Sequence, residues 1–90
     1  MDKHCVNAIV SGRVQGVGFR HAVKKRAEEL ELAGRASNLA NGSVEVTVCG
    51  ETKKVDQMIE WLGQGPPAAQ VTQVQVDNID WCEYSSFTTD

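Results

Sequence analysis

Gly12-Arg13-Val14-Gln15-Gly16-Val17-Gly18-Phe19-Arg20 separates an apolar run, Val6 to Val10, from a helical pattern that starts at Phe19. In the run, Val6, Ala8 and Val10 alternate with Asn7, Ile9 and Ser11, the period of a half-buried strand, here ending at Gly12. Phe19, Val23, Ala27 and Leu30 then recur at helical spacing and put one apolar stripe on a helix of roughly three turns. The nonapeptide is therefore a glycine-punctuated loop between a strand and a helix, with an arginine at the helix entrance. It contains no proline, so every residue from Gly12 to Arg20 keeps its N–H donor. Gly16 and Gly18 accept backbone angles that other residues resist. Such a loop can turn its N–H groups inward around an anion, and Arg20 adds a planar fork suited to two phosphate oxygens. On spacing alone, a tight turn with a solvated arginine fits equally well. The loop lacks the Gly-Lys-Ser/Thr ending of a P-loop and the G-x-G-x-x-G spacing of a dinucleotide site.

Working outward, Gly34 suits the end of the first helix. Arg35 to Ala40 and Ser43 to Cys49 flank Asn41-Gly42, the signal of a two-residue hairpin. That turn sets Asn38 opposite Glu45 and gives Val44, Val46 and Val48 a shared core face. Thr52 is the expected N-cap of a second helix, on which Val55, Met58, Ile59 and Leu62 form the buried stripe. Trp61 lies beside that stripe as packing, and Gly63, Gly65, Pro66 and Pro67 stop the helix. Val74 and Val76 mark a further strand, with Val71 out of phase across a bulge. Asp77-Asn78 reads as a turn, and Trp81 to Thr88 as a short last strand. The order β-α-β-β-α-β plus a short C-terminal strand predicts an α+β, ferredoxin-like split βαβ fold. It is an antiparallel sheet with two helices on one face. Right-handed crossovers place the third strand between the first and second, and the first beside the fourth.

The 90 residues are expected to form a single domain over 1–90. A net charge of −3 argues against nucleic acid or an anionic membrane as partner. The few aromatics argue against an RNA-binding sheet. No apolar run approaches a membrane span, and Met1-Asp2-Lys3-His4 lacks the pattern of a secretory signal. The expectation is a cytoplasmic protein, and no apolar edge demands a partner, so a monomer. In the register that sets Ser11 against Ser43, Cys5 falls opposite Cys49, which allows either a cross-strand disulfide or two reduced thiols. Cys82 has no evident partner. There is no C-x-x-C, and His4 and His21 alone do not make a metal site, so no metal or cofactor is expected.

The nonapeptide resembles the first signature of the acylphosphatase family, G-x-V-Q-G-V-x-F-R, and matches it at every fixed position. Gly34 to Val44 resembles the second, G-(aromatic)-x-(K/R)-N-x-x-x-G-x-V, and the similarity runs on through Trp61-Leu62, Gly65-Pro66-Pro67 and Glu83 to Phe87. The resemblance implies a small, metal-independent enzyme that hydrolyses acyl phosphates to a carboxylate and inorganic phosphate. It implies that Arg20 binds the phosphate and Asn38 positions the attacking water. The N–H groups of Gln15, Gly16, Val17, Gly18 and Phe19 would complete the cradle. Arg20 and Asn38 lie 18 residues apart but at the same end of two parallel strands. Read without the family, Asn38 simply precedes a turn. His21 and Arg13 are either solvated or near the anion, and Glu45 is a candidate to orient the Asn38 amide. Arg35 stands where the family has an aromatic, Ser37 where it has a base, and Asp90 where a basic ending is usual. These departures are expected to loosen the second strand and to affect rate and stability. The alternative reading is a non-catalytic anion-sensing or protein-interaction module on the same fold.

Overall fold

The computed structural model describes residues 2–90. Seven elements follow one another: β1 (Lys3–Arg13), α1 (Phe19–Glu29), β2 (Ala33–Asn38), β3 (Val44–Glu51), α2 (Thr52–Gln64), β4 (Gln70–Ile79) and β5 (Phe87–Thr89). The strands form one sheet in the order β4-β1-β3-β2-β5. This is the ferredoxin-like α+β arrangement, with β3 between β1 and β2 as expected. The far edge differs from expectation. β5 joins the outer edge of β2 in parallel, so the sheet is mixed rather than wholly antiparallel.

The helices cover one face: α1 packs on β2 and β5, α2 on β1, β3 and β4. Val6, Ala8 and Val10 of β1, Ala36 of β2 and Val44, Val46 and Val48 of β3 point into that layer. There they meet Phe19, Val23 and Ala27 of α1 and Val55, Met58 and Leu62 of α2, and all are buried. Burying each larger side chain of this set contributes roughly 1.5–3 kcal/mol, so the strand alternation and helical stripes fix which face each element presents. Phe19 and Trp61 also approach each other, ring centroids 6.3 Å apart.

Several local expectations are corrected. The Asn41-Gly42 turn is not a two-residue hairpin. Leu39 N–H donates to the Ser43 carbonyl at 2.8 Å and Gly42 N–H to the Leu39 carbonyl at 3.2 Å, closing a three-residue loop, 40–42. Gly42 has φ 93° while Asn41 stays out of the left-handed region, the pattern of a type I turn with a glycine bulge. The register shifts by one: Asn38 pairs Val44, and Ser37 pairs Glu45. Gly34 does not end α1 but lies inside β2, where a Cβ would sit 1.8 Å from the Thr47 carbonyl oxygen. The helix end is made by Glu31 at φ 59°. Leu32 N–H bonds the Ala27 carbonyl at 2.8 Å and Glu31 N–H the Glu28 carbonyl at 3.1 Å, a Schellman closure. Burial of Leu32 and an ion pair from Lys54 to Glu31 hold a non-glycine residue there.

Thr52 is the first helical residue rather than the cap; the cap is Glu51, and the Thr52 hydroxyl meets His4 Nδ1 at 3.0 Å. Asp77 and Asn78 continue β4 instead of turning, and the last strand is confined to Phe87–Thr89. The bulge is present: the β1–β4 register slips between Ser11 and Gly12. Cys5 and Cys49 oppose each other across β1 and β3 and are joined by a disulfide. Cys82 is free and exposed, and its N–H points to Cys5 Sγ at 3.3 Å. Among the described residues no helix is long and apolar enough to cross a membrane.

Candidate active site

The loop between β1 and α1 is shaped by its glycines. Gly16 and Gly18 have φ 74° and 75°, and a Cβ on either would meet nothing within 4 Å. The requirement for glycine is thus conformational, and the space beside the loop is open. Left-handed residues alternating with ordinary ones turn successive N–H groups toward one side, an anion-binding nest. Gly18 is also the N-cap of α1, with no side-chain cap bond and no acidic residue in the first turn. The positive end of the helix dipole is therefore not offset by a cap side chain or by an acidic residue of its own first turn. Val14 and Phe19, both buried, pin the two ends of the loop in the core.

Asn38 ends β2. Directly opposed residues of an antiparallel pair share a face, and its partner Val44 is on the core side, so Asn38 leaves the sheet toward the helices. There it borders a cleft of about 440 Å³ together with Gly16, Gly18, Phe19 and Arg20. Two of the expected residues lie outside this lining. Val17 packs partly against the core. Gln15 instead reaches away, its amide Nε2 donating to the carbonyls of Leu39 at 2.8 Å and Ser43 at 2.9 Å. Phe19 contributes backbone, since its ring is buried. His21, exposed, also lines the cleft, as do Val14, Thr89 and Asp90. Thr89 has no signal in the sequence because nothing local links it to the loop; only the pairing of β5 with β2 brings it there.

Glu45 does not orient Asn38. It lies opposite Ser37, on the other face of the sheet, where its carboxylate accepts from Asn7 Nδ2 at 3.3 Å. Arg20 has no ion-pair partner among the described residues. Asp90, at the edge of the cleft, has its carboxyl held below the ordinary aspartate range first by the Ser37 hydroxyl, then by Arg35, and least by Arg20. A larger cavity of about 570 Å³ lies between α1 and α2, around Arg26, Trp61 and Gln64. It contains neither the loop glycines, nor Arg20, nor Asn38, so size alone does not locate the site.

The sequence model described as Acylphosphatase matches residues 6–89. The chain belongs to the acylphosphatase family. A protein named acylphosphatase from Coxiella burnetii (strain Dugway 5J108-111) is 48% identical over 83 residues, 92% of this chain and 87% of its own length. Among solved structures, an acylphosphatase from Coxiella burnetii superposes with a TM-score of 0.95 at 44% identity, covering 99% of this chain and 94% of that one. The crystal structure of acylphosphatase from Bacillus subtilis gives 0.91 at 33% identity, with 96% and 97% covered. Within this acylphosphatase-family chain the two unusual residues that precede Asn38 are joined. Arg35 Nη2 donates to Ser37 Oγ at 2.9 Å and to Asp90 Oδ2 at 2.7 Å. Arg35 is paired with Thr47 on one side and Thr88 on the other.

Proposed function

We propose that the protein is an acylphosphatase whose cleft hydrolyses the carboxyl–phosphate bond of small acyl phosphates, with Arg20 and Asn38 as its catalytic residues and no metal or cofactor needed. The supporting observation is the convergence, on one cleft, of an uncapped helix N-terminus, an arginine without an ion-pair partner and a carboxamide from the second strand of the β-α-β unit. The phosphoryl group sits against the loop N–H groups of Gly16, Gly18 and Phe19 and the Arg20 fork. The side chains of Gln15 and Val17 shape the loop, and their N–H groups complete the cradle. Asn38, both acceptor and donor, aims a water at phosphorus. The water oxygen forms the new P–O bond and the bond to the acyl oxygen breaks. The carboxylate leaves with the electron pair, and a phosphate oxygen takes the water's proton. Because the leaving carboxylate is already a weak base, no general acid is required. Positioning and neutralisation of charge on the phosphoryl oxygens carry the rate.

The reading has the protein acting as a cytoplasmic monomer, one domain over 1–90, on a free small molecule rather than on nucleic acid or a membrane. Cys5 and Cys49 lie at the far end of the strands from the cleft, so the chemistry does not depend on whether they are joined. The test is a metal-free assay with acetyl or benzoyl phosphate. Arg20→Ala should weaken inhibition by phosphate by roughly 1.5–3 kcal/mol, the range for a charged hydrogen-bonded contact. Asn38→Ala should lower kcat on the order of a hundredfold, as loss of a preorganised polar group does. Phosphate binding without turnover in the wild type would favour the non-catalytic module instead.

A further inference from the structure

We propose that Arg35, Ser37 and Asp90 form a clamp that positions Asn38, acting through Ser37 on the face of β2 opposite the Asn38 side chain, with Asp90 at the edge of the cleft; the inference rests on the reading of Asn38 as the residue that aims the water. Asn38 is a strand end with little lateral support. β5 pairs with Gly34, Arg35 and Ala36 and stops short of Ser37 and Asn38. β3 holds Asn38 on one side through Val44. On the other side the sheet is continued by Asp90 alone, whose N–H donates to the Ala36 carbonyl at 3.1 Å.

The Asp90 side chain then closes a triangle. Ser37 Oγ donates to Asp90 Oδ2 at 2.6 Å, and one Arg35 nitrogen donates to both that oxygen and Ser37 Oγ. Ser37 is 8% exposed, so its hydroxyl is held in one place. Neighbouring residues on a strand point to opposite faces. Ser37 therefore cannot reach substrate in the cleft, and any effect it has on turnover must pass through the peptide it shares with Asn38. The Arg35 and Asp90 side chains are 47% and 59% exposed, and ion pairs that open to solvent add little stability. The clamp is thus better placed to fix a geometry than to hold the fold together.

Ser37→Ala and Asp90→Ala test this, assayed beside Asn38→Ala and the Ser37→Ala/Asn38→Ala double variant. A sub-ångström misplacement of the aiming group should lower kcat by about tenfold in each clamp variant. Inhibition by inorganic phosphate, which reports the loop and Arg20, should not move in Ser37→Ala; Asp90 borders the cleft beside Arg20, so its variant is read by kcat. Ser37→Thr, which keeps the hydroxyl, should restore kcat, and adding Ser37→Ala to Asn38→Ala should cost nothing further. Normal kcat in either clamp variant overturns the inference, as does a parallel loss of phosphate affinity in Ser37→Ala or an additional loss in the double variant. If Asn38→Ala itself turns over normally, the reading of Asn38 falls and the clamp with it. If Asn38→Ala is slow while the clamp variants are not, only the clamp falls.

Discussion

The side-chain amide of Gln15 donates to the main-chain carbonyl of Leu39, 2.8 Å away, and to that of Ser43 at 2.9 Å. One side chain thereby ties the glycine loop to the hairpin that follows Asn38. Each acceptor also takes a backbone N–H of the turn, Leu39 from Gly42 and Ser43 from Leu39, so the amide is a second donor to both. Gln15→Ala removes this donor from both and frees the loop to drift from Asn38. It should lower stability by about 1 kcal/mol, the net contribution of an ordinary hydrogen bond, because both carbonyls keep their turn partners. It should also weaken phosphate inhibition and slow turnover together, unlike a change at the clamp. Denaturant titration and phosphate inhibition of the variant check this; unchanged phosphate affinity would remove Gln15 from the account of the loop.

The glycines divide into two kinds with different expected costs. At Gly18 a methyl group has room but the backbone is left-handed, φ 75°. Gly18→Ala should fold with a loss of about 1–2 kcal/mol, the usual cost of that conformation for an L-residue, and with weaker phosphate binding. At Gly34 a methyl would lie 1.8 Å from the Thr47 carbonyl oxygen, a backbone atom fixed by the β2–β3 ladder. Gly34→Ala should therefore fail to reach the native sheet at all. Soluble yield and circular dichroism distinguish the two outcomes, and a well-folded Gly34→Ala would contradict the close approach of the strands.

The disulfide closes a sequence separation of 44 residues between β1 and β3. In the chain-entropy account such a loop adds at most about 4 kcal/mol, through the unfolded state. Cys5→Ser/Cys49→Ser, or reduction, should lower the denaturation midpoint, while kcat of the folded protein stays as it was because the cleft is at the other end of β1. A drop in kcat at temperatures where the reduced protein is fully folded would show that the two ends are coupled.

The strand and helix faces are legible in the sequence because the valines of β1 and β3 and the stripes of α1 and α2 repeat at the right periods. Arg20 and Asn38 are legible as neighbours because β1 and β2 run parallel and both residues follow the same end of the sheet. The Asn41-Gly42 dipeptide is ambiguous in kind. It serves a two-residue turn and a glycine-bulge loop equally, and the difference of one residue moves Glu45 from Asn38 to Ser37. The end of α1 escapes a local reading because burial of Leu32 outweighs the preference of a left-handed position for glycine. The part played by Asp90 has no local signal: it depends on β5 lying beside β2, which only the folded chain displays.

Acid should expose the clamp through Asp90. Its carboxyl is held below the ordinary aspartate range, chiefly by the Ser37 hydroxyl and then by the charge of Arg35. The native state therefore binds this proton less readily than the unfolded chain does. The stabilisation is fully present above the ordinary aspartate range and is lost as pH falls through that range and below it, down to the depressed native value. Asp90→Asn never has it. Denaturant midpoints of wild type and Asp90→Asn should differ at neutral pH and converge in acid, since all other carboxylates titrate alike in the two proteins. The gap should be small, because the pair is open to solvent. A gap that widens on acidification, or that persists unchanged below the aspartate range, would mean that the Asp90 carboxylate is not engaged by Ser37 and Arg35 in solution.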